Sequence, residues 1–553
     1  MTFGCGHKGG RLHEAGRHTI GSMHIWRFVV LAAVAATVSA LAGCSHSTGL
    51  GARPSTPMAA RLVAQADAVP TPTLTWTPCQ EPELHRYQCA TTEVPVDYAQ
   101  PNGAKLELAV IRQLAGDPAT RIGTLFAAAG GPGDSGFGWA ASGELFPGEV
   151  SRRFDVVTFD QRGVGRSAQI RCFADPVEQQ QFWQGTAIPP ANKEQERADE
   201  RSSREHAAGC ATHGAGLVGH LTTVDAARDL DLLRRAVGES KLTYQGGSYA
   251  SYLGAVYGAL FGDRVRALQL TSMIDPEAYT SDTRSVIADT AVGTQEVLGE
   301  FLRLCAQTGG ARCAFAGGPV PATEADLRSR DDALLTRSRR GPIMVGTGDG
   351  AVSLTYDEIV QAHATLLYDP EQGWPRLARV LAELERGAAG DADVVREVLR
   401  ASTMTPGYLD SYTAISCADN TFARHPESWP SLAEEVAEVA PVYGPFWLYM
   451  RQPCASWAAP KDGYPQRYSG PWGLRSEVPA LLFNNRFDPA TPVTAAYRAE
   501  RTLRNAHLVV VTDGYGHQPS GACVTALQEH YLIDLELPAR GTACTADRPP
   551  FAR

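Results

Sequence analysis

Short β-branched and apolar runs recur along the chain, most of them followed by glycine-rich or polar turns. They occupy residues 106–111, 123–128, 154–159, 242–245, 265–271, 479–483 and 508–512, and their length and composition predict strands. Residues 222–238 follow a different period. Leu230, Leu233 and Val237 share one helical face, Thr222 with Asp225 offers an N-terminal cap, and Gly238 closes the segment. Alternating strand and helix signals of this kind predict an α/β fold, with a mostly parallel sheet and helices on both faces. From residue 275 to residue 476 strand signals are sparse. Helical patterns dominate at 288–306, 356–368 and 375–386, with Pro370 and Gly373 separating the last two and Pro375 suited to a first helical position. The strand rhythm returns at Val478. The expected architecture is a core in two parts, residues 74–274 and 477–553, with an inserted helical cap, residues 275–476. The cap would fold over the C-terminal edge of the sheet, where such folds place their sites. Residues 175–204 are polar and charged and read as a solvated excursion.

The N-terminus breaks this rhythm. Arg27 precedes an apolar run from Phe28 to Ala42, too short for a membrane span and suited to the hydrophobic region of a signal peptide. The run ends in Leu41-Ala42-Gly43-Cys44, which resembles a bacterial lipobox, so Cys44 would be lipidated and become the first mature residue. A plain signal peptide cleaved near Ala42 is the alternative, and Met23 is an alternative start. Residues 1–44 are thus expected to be a signal peptide with a lipobox. Residues 45–73, rich in Ser, Thr, Ala, Gly and Pro, read as a flexible tether. The protein would be exported and held by lipid on the extracytoplasmic face of the cell membrane, with later shedding left open.

Cysteine usage agrees with export. Apart from Cys5 and Cys44 there are ten cysteines, an even set without CxxC metal spacing, and disulfides are the expected use. Pairing in sequence order (79–89, 172–210, 305–313, 417–454, 523–544) is the simplest arrangement, although spacing alone leaves connectivity open. A formal net charge of -10 offers no basic face to nucleic acid. The 553 residues suit one large domain with an insertion, and a monomer is expected.

Candidate chemistry centres on Ser248, in the run Leu242-Thr-Tyr-Gln-Gly-Gly-Ser-Tyr-Ala-Ser251. A strand ends in two glycines and a serine, and a helix rich in small residues follows. This is the layout of a nucleophile elbow, with Ala250 where G-x-S-x-G has its last glycine. A serine hydroxyl needs a base, a carboxylate to orient that base, and donors for the oxyanion. Asp488 follows the strand 479–483, in Phe483-Asn-Asn-Arg-Phe-Asp-Pro-Ala-Thr-Pro492, although a turn aspartate before proline is common. Thr491 would cap the next helix or bond near Asp488. His517 follows the last strand, in Asp513-Gly-Tyr-Gly-His-Gln518, whereas His507 precedes that strand and would point away. The loop Ala129-Gly-Gly-Pro-Gly133 lets backbone N–H groups approach a substrate. The N–H groups of Gly131 and Tyr249 are the candidate oxyanion donors.

Taken together, AGGPG, DQRGVGRS, GGSYAS, FDPATP and GYGH resemble the prolyl aminopeptidase branch of the α/β-hydrolases. They are most similar to its exported tripeptidyl aminopeptidase group in actinobacteria. The resemblance runs from residue 74 to the C-terminus. It implies Ser248 as nucleophile, Asp488 as orienting acid, His517 as base, and Gly131 with Tyr249 as oxyanion hole. Ala129 stands where the family has a histidine, so a preference for N-terminal proline is not carried over. An aminopeptidase also needs a carboxylate for the substrate ammonium. The stretch from Tyr412 to Asn420 resembles one in this group, and Asp419 is its candidate, the alternative being a surface aspartate beside a disulfide. Asp160 and Arg162 are expected to brace their turn, and Tyr249 to line the pocket as well. The implied activity is release of short peptides, tripeptides in this group, from the N-termini of peptide substrates through an acyl-enzyme, with no metal or organic cofactor. A carboxylesterase using the same triad and a non-catalytic envelope-binding protein are the alternatives.

Overall fold

The apolar runs align in one sheet in the computed structural model, which describes residues 56–214, 216–457 and 463–552. The expected signal peptide and Cys44 lie outside the described residues. In chain order the strands are β1 (Thr77–Pro78), β2 (Gln88–Pro95), β3 (Lys105–Gln113), β4 (Gly123–Ala128), β5 (Phe154–Phe159), β6 (Leu242–Gly247), β7 (Val265–Thr271), β8 (Ile343–Val345), β9 (Val352–Leu354), β10 (Ala480–Phe487), β11 (Ala506–Tyr515) and β12 (Ala543–Cys544). Ten of them form a sheet in the order β1-β2-β3-β5-β4-β6-β7-β10-β11-β12, while β8 and β9 pair separately. Pairing is antiparallel from β1 to β5 and parallel from β5 to β12. The order reverses at β5-β4, beside the central strand β6, and ligands of open α/β sheets bind at such a switch point.

Alternation along the strands feeds two layers. Phe126 and Ala128 of β4 pack into one core with Leu230, Leu233, Leu253 and Val256, from the helices Thr223–Ala236 and Tyr249–Leu260. Leu125 and Ala127 face the other side, against Phe137 and Tyr531. Thr222 caps its helix as expected, accepting from the Asp225 N–H. That helix also buries charge: Asp229 pairs with Arg162 at 2.6 Å, and both side chains are almost wholly buried. Arg162 donates further to the Pro95, Val96 and His220 carbonyls, so it braces its turn from within. Asp160 accepts from Ser135 Oγ and from the Phe137 and Arg166 N–H groups, and also stays out of the cleft.

Two segments differ from their compositional reading. Within the expected tether, Pro57–Asp67 is a helix capped by Thr56, and Ala59, Leu62 and Ala66 are buried in the main core. Their spacing puts all three on one face, which packs on the two helices just named. The expected excursion contains the helices Pro176–Gln184 and Lys193–His213, the second burying Asp199, Ser203, His206 and Cys210. His206 and Trp183 both bond Asp410 of the helix Pro406–Asp419, so polar residues here seal an interface instead of facing water.

Between β7 and β10 the chain is mainly helical, with the long helix Thr283–Thr308 and a hydrophobic cluster of its own. All five disulfides close in sequence order.

Candidate active site

Ser248 sits between β6 and the helix Tyr249–Leu260 with φ +57° and ψ −130°. A non-glycine residue held there carries strain of about 1–3 kcal/mol, retained because the surrounding bonds over-determine it. The Ser248 N–H donates to the Thr271 carbonyl at 3.1 Å, and its carbonyl accepts from Ser251 Oγ at 2.6 Å. Gly247 leaves room for neighbouring side chains: a Cβ there would press on the Gln518 amide and the Thr271 hydroxyl. Ala250, where the motif has its last glycine, is wholly buried, and its carbonyl is held by the Tyr244 hydroxyl at 2.8 Å.

His517 lies in the turn after β11. Its Nδ1 is 2.9 and 3.0 Å from the two oxygens of Asp488. A carboxylate has no proton to give, so Nδ1 carries the hydrogen and Nε2 keeps its lone pair. Among the described residues Nε2 has no hydrogen-bond partner, although it is buried. In this conformation it is therefore not yet bonded to Ser248, as is common for such pairs without substrate. The loops that carry the two residues are tied together all the same. Gln518, next to His517, accepts from Thr271 Oγ1 at 2.6 Å and donates its N–H to Ser272 Oγ at 3.0 Å, which clasps the histidine turn to the elbow.

Asp488, 1% exposed, is fixed by four partners. The Ala490 and Thr491 N–H groups and Thr491 Oγ1 each donate at 2.9 Å, and His517 completes the set. The helical segment grips both loops. Thr294 Oγ1 donates to the Pro489 carbonyl at 2.6 Å, and the His517 N–H donates to the Tyr368 carbonyl at 2.8 Å.

Gly130 lies against the serine: a Cβ on it would sit 3.2 Å from the Ser248 Cβ. Among the described residues the Gly131 and Tyr249 N–H groups have no protein acceptor. They are free to meet negative charge beside the serine. The loop 129–133 is pinned from above, because Gly133 packs against Ser411 and Tyr412 of the helix Pro406–Asp419.

Residues 129–307 match the family described as alpha/beta hydrolase fold, and residues 440–544 match that described as TAP-like protein. A tripeptidyl aminopeptidase of Streptomyces coelicolor is 30% identical over 483 residues, 84% of each chain. The chain belongs to the tripeptidyl aminopeptidase-like α/β-hydrolases. The serine protease Hip1 of Mycobacterium tuberculosis is 30% identical over 544 residues, covering 93% of this chain and 97% of that one. Carboxylesterase B of Mycobacterium tuberculosis is 30% identical over 527 residues, with coverages of 91% and 94%.

Two residues of this family member lie elsewhere than their motifs suggested. Asp419 does not reach the cleft surface. It is 3% exposed, and its oxygens accept from the Thr223 N–H at 2.7 Å and Thr223 Oγ1 at 2.6 Å. Burial raises its pKa to about 7, against the pull of those bonds. The Tyr249 ring is also buried, with its hydroxyl 2.5 Å from Thr223 Oγ1, so the side chain locks the elbow and does not line the pocket. One site residue had no sequence signal beyond its place two residues before the FDPATP run. Asn485 Nδ2 donates to the Tyr515 and Gly516 carbonyls at 3.2 and 2.9 Å and holds the turn that carries His517.

Proposed function

We propose that the protein is an exported serine peptidase that releases short peptides, tripeptides by family analogy, from peptide N-termini. The observation that carries this reading is the Asp488–His517 pair, which leaves Nε2 unpartnered on a turn whose Gln518 packs against Gly247, next to Ser248 on its strained elbow. In the proposed reaction Ser248 Oγ attacks the scissile carbonyl and His517 Nε2 takes its proton. The N–H groups of Gly131 and Tyr249 stabilise the oxyanion. His517 then protonates the leaving amine, and water, activated by the same histidine, hydrolyses the acyl-enzyme. Asp488 holds the imidazole in its tautomer and stabilises the imidazolium. The helical segment 275–476 acts as the cap that limits access.

A carboxylesterase is the second reading. The same groups cleave esters, and the similarity to a protein named carboxylesterase B supports it. Free and N-acetylated tripeptide amides, assayed beside a short acyl ester, separate the two. The peptidase reading expects turnover of the free-amine peptide to exceed that of its acetylated form, and expects Ser248→Ala to abolish it. Ester turnover with no amide turnover would overturn it.

Five disulfides and the extracytoplasmic context of an export signal support a location outside the cytoplasm. Anchoring through a lipid on Cys44 is part of the same proposal. Radiolabelled palmitate incorporation that survives Cys44→Ser would contradict it.

A further inference from the structure

A peptidase that reads a free N-terminus needs a carboxylate that is open to the cleft and not already engaged. The carboxylates around the elbow fail this requirement in turn. Asp488 is committed to His517 and Thr491. Both oxygens of Asp419 are taken by Thr223 in a buried site. Asp410 is sealed under His206, Trp183 and Gln179. Asp160 accepts from Ser135, Phe137 and Arg166.

Asp134 remains. It lies three residues past Gly131 on the loop whose Gly130 touches Ser248. Its backbone N–H is tied to the Gly130 carbonyl at 3.2 Å, which closes a turn and keeps Asp134 beside the glycine loop. Among the described residues its side chain has no hydrogen-bond or ion-pair partner, and it is exposed. It does not stand in open water, however. Desolvation by the surrounding protein raises its pKa above the usual aspartate value, against the pull of nearby His517. Two half-buried tyrosines of the helical segment face the same space. Tyr408 lies 3.2 Å from where a Gly131 Cβ would be, and the Tyr368 ring is 4.8 Å from the His517 ring. The Asp134 charge acts on both phenols.

We propose that Asp134 is the specificity-determining anchor for the α-ammonium of the peptide substrate, with Tyr368 and Tyr408 flanking it. This rests on the aminopeptidase reading above. A carboxylate in partly desolvated surroundings attracts a cation more strongly than one in bulk water. Aromatic faces add a further attraction for the ammonium. The substrate class that follows is a peptide with an unblocked N-terminus. Acylated peptides and simple esters lack the group that Asp134 would hold.

The test measures kcat/KM for one tripeptide coumarin amide with a free amine and for its N-acetyl form, in wild type, Asp134→Asn and Asp134→Glu. Fluorophosphonate labelling reports that the elbow is folded in each. The free-to-acetylated ratio is expected to fall about ten- to hundred-fold in Asp134→Asn, through KM, as for loss of a hydrogen bond to a charged group. Asp134→Glu should recover part of it. An equal loss on both substrates would overturn the proposal, because a residue acting only on the charge of His517 serves both alike. So would an unchanged ratio in a protein that prefers the free amine. A wild type with no preference at all would overturn the aminopeptidase reading first, and the anchor with it.

Discussion

Replacing Asn485 with alanine tests whether the histidine turn is held by a side chain outside the reacting groups. Asn485 is 3% exposed and donates to two consecutive carbonyls, those of Tyr515 and Gly516. Losing both bonds should cost about 1–3 kcal/mol of stability, at the usual net value per bond. The functional cost should be larger. Gly516 has φ +82° and no room for a Cβ beside the Tyr368 carbonyl, and glycine is conformationally free, so the shape of this turn depends on the bonds that hold it. The remaining ties include the Gly516 N–H to the Phe487 carbonyl, the His517 N–H to the Tyr368 carbonyl, the Gln518 bonds to Thr271 and Ser272, and the Asp488 contact. A shift of about 1 Å in His517 would cost on the order of 100-fold in kcat. KM should change little, since Asn485 touches no substrate surface. Urea unfolding read by fluorescence gives the stability term, and steady-state kinetics give kcat. A variant that loses the expected stability and keeps wild-type kcat would refute the reasoning, because the backbone ties alone would then position His517.

Three further outcomes follow from buried groups. Arg162→Ala leaves Asp229 buried without its ion-pair partner and should cost about 3–5 kcal/mol in chemical denaturation; a loss near zero would mean the pair is not buried in solution. Burial, with the nearby charge of Asp357, raises the Asp199 pKa from 3.8 to about 8. Between those values the folded carboxyl keeps a proton that the unfolded chain has lost, so its contribution is full below the unfolded value and is lost as pH rises to about 8. Denaturation midpoints should therefore fall between about pH 4 and about pH 8, and Asp199→Asn should lessen the fall; an identical fall in both proteins would contradict the assignment. Leu62→Ala removes a fully buried side chain from the helix Pro57–Asp67 and should cost about 2–5 kcal/mol if that helix unfolds with the core. Unchanged stability, with proteolysis confined to residues before Val69, would mean that the segment melts on its own.

Much of the core was legible because its signals are local. Runs such as 123–128 and 265–271 are buried on both faces, so their apolar continuity announces them. The elbow, FDPATP and GYGH could be placed because each follows such a strand. Strand β2, QCATTEVP, was missed because its alternation is diluted by Thr, Glu and Pro at a sheet margin. Helix Pro57–Asp67 was hidden by its composition, since its apolar stripe is mostly alanine. Asp419 shows a different limit. Its motif was visible, but the partner that occupies it, Thr223, lies 196 residues away and belongs to another element. Asn485 escaped for the same reason, because the carbonyls it holds belong to the next strand.

The central claim is that Ser248 is the nucleophile, activated by His517. Mapping the fluorophosphonate adduct by peptide mass spectrometry tests it most directly. The account predicts one adduct, on the peptide containing Ser248, lost in Ser248→Ala and strongly slowed in His517→Ala. An adduct on another residue, or labelling that persists in Ser248→Ala, would contradict it.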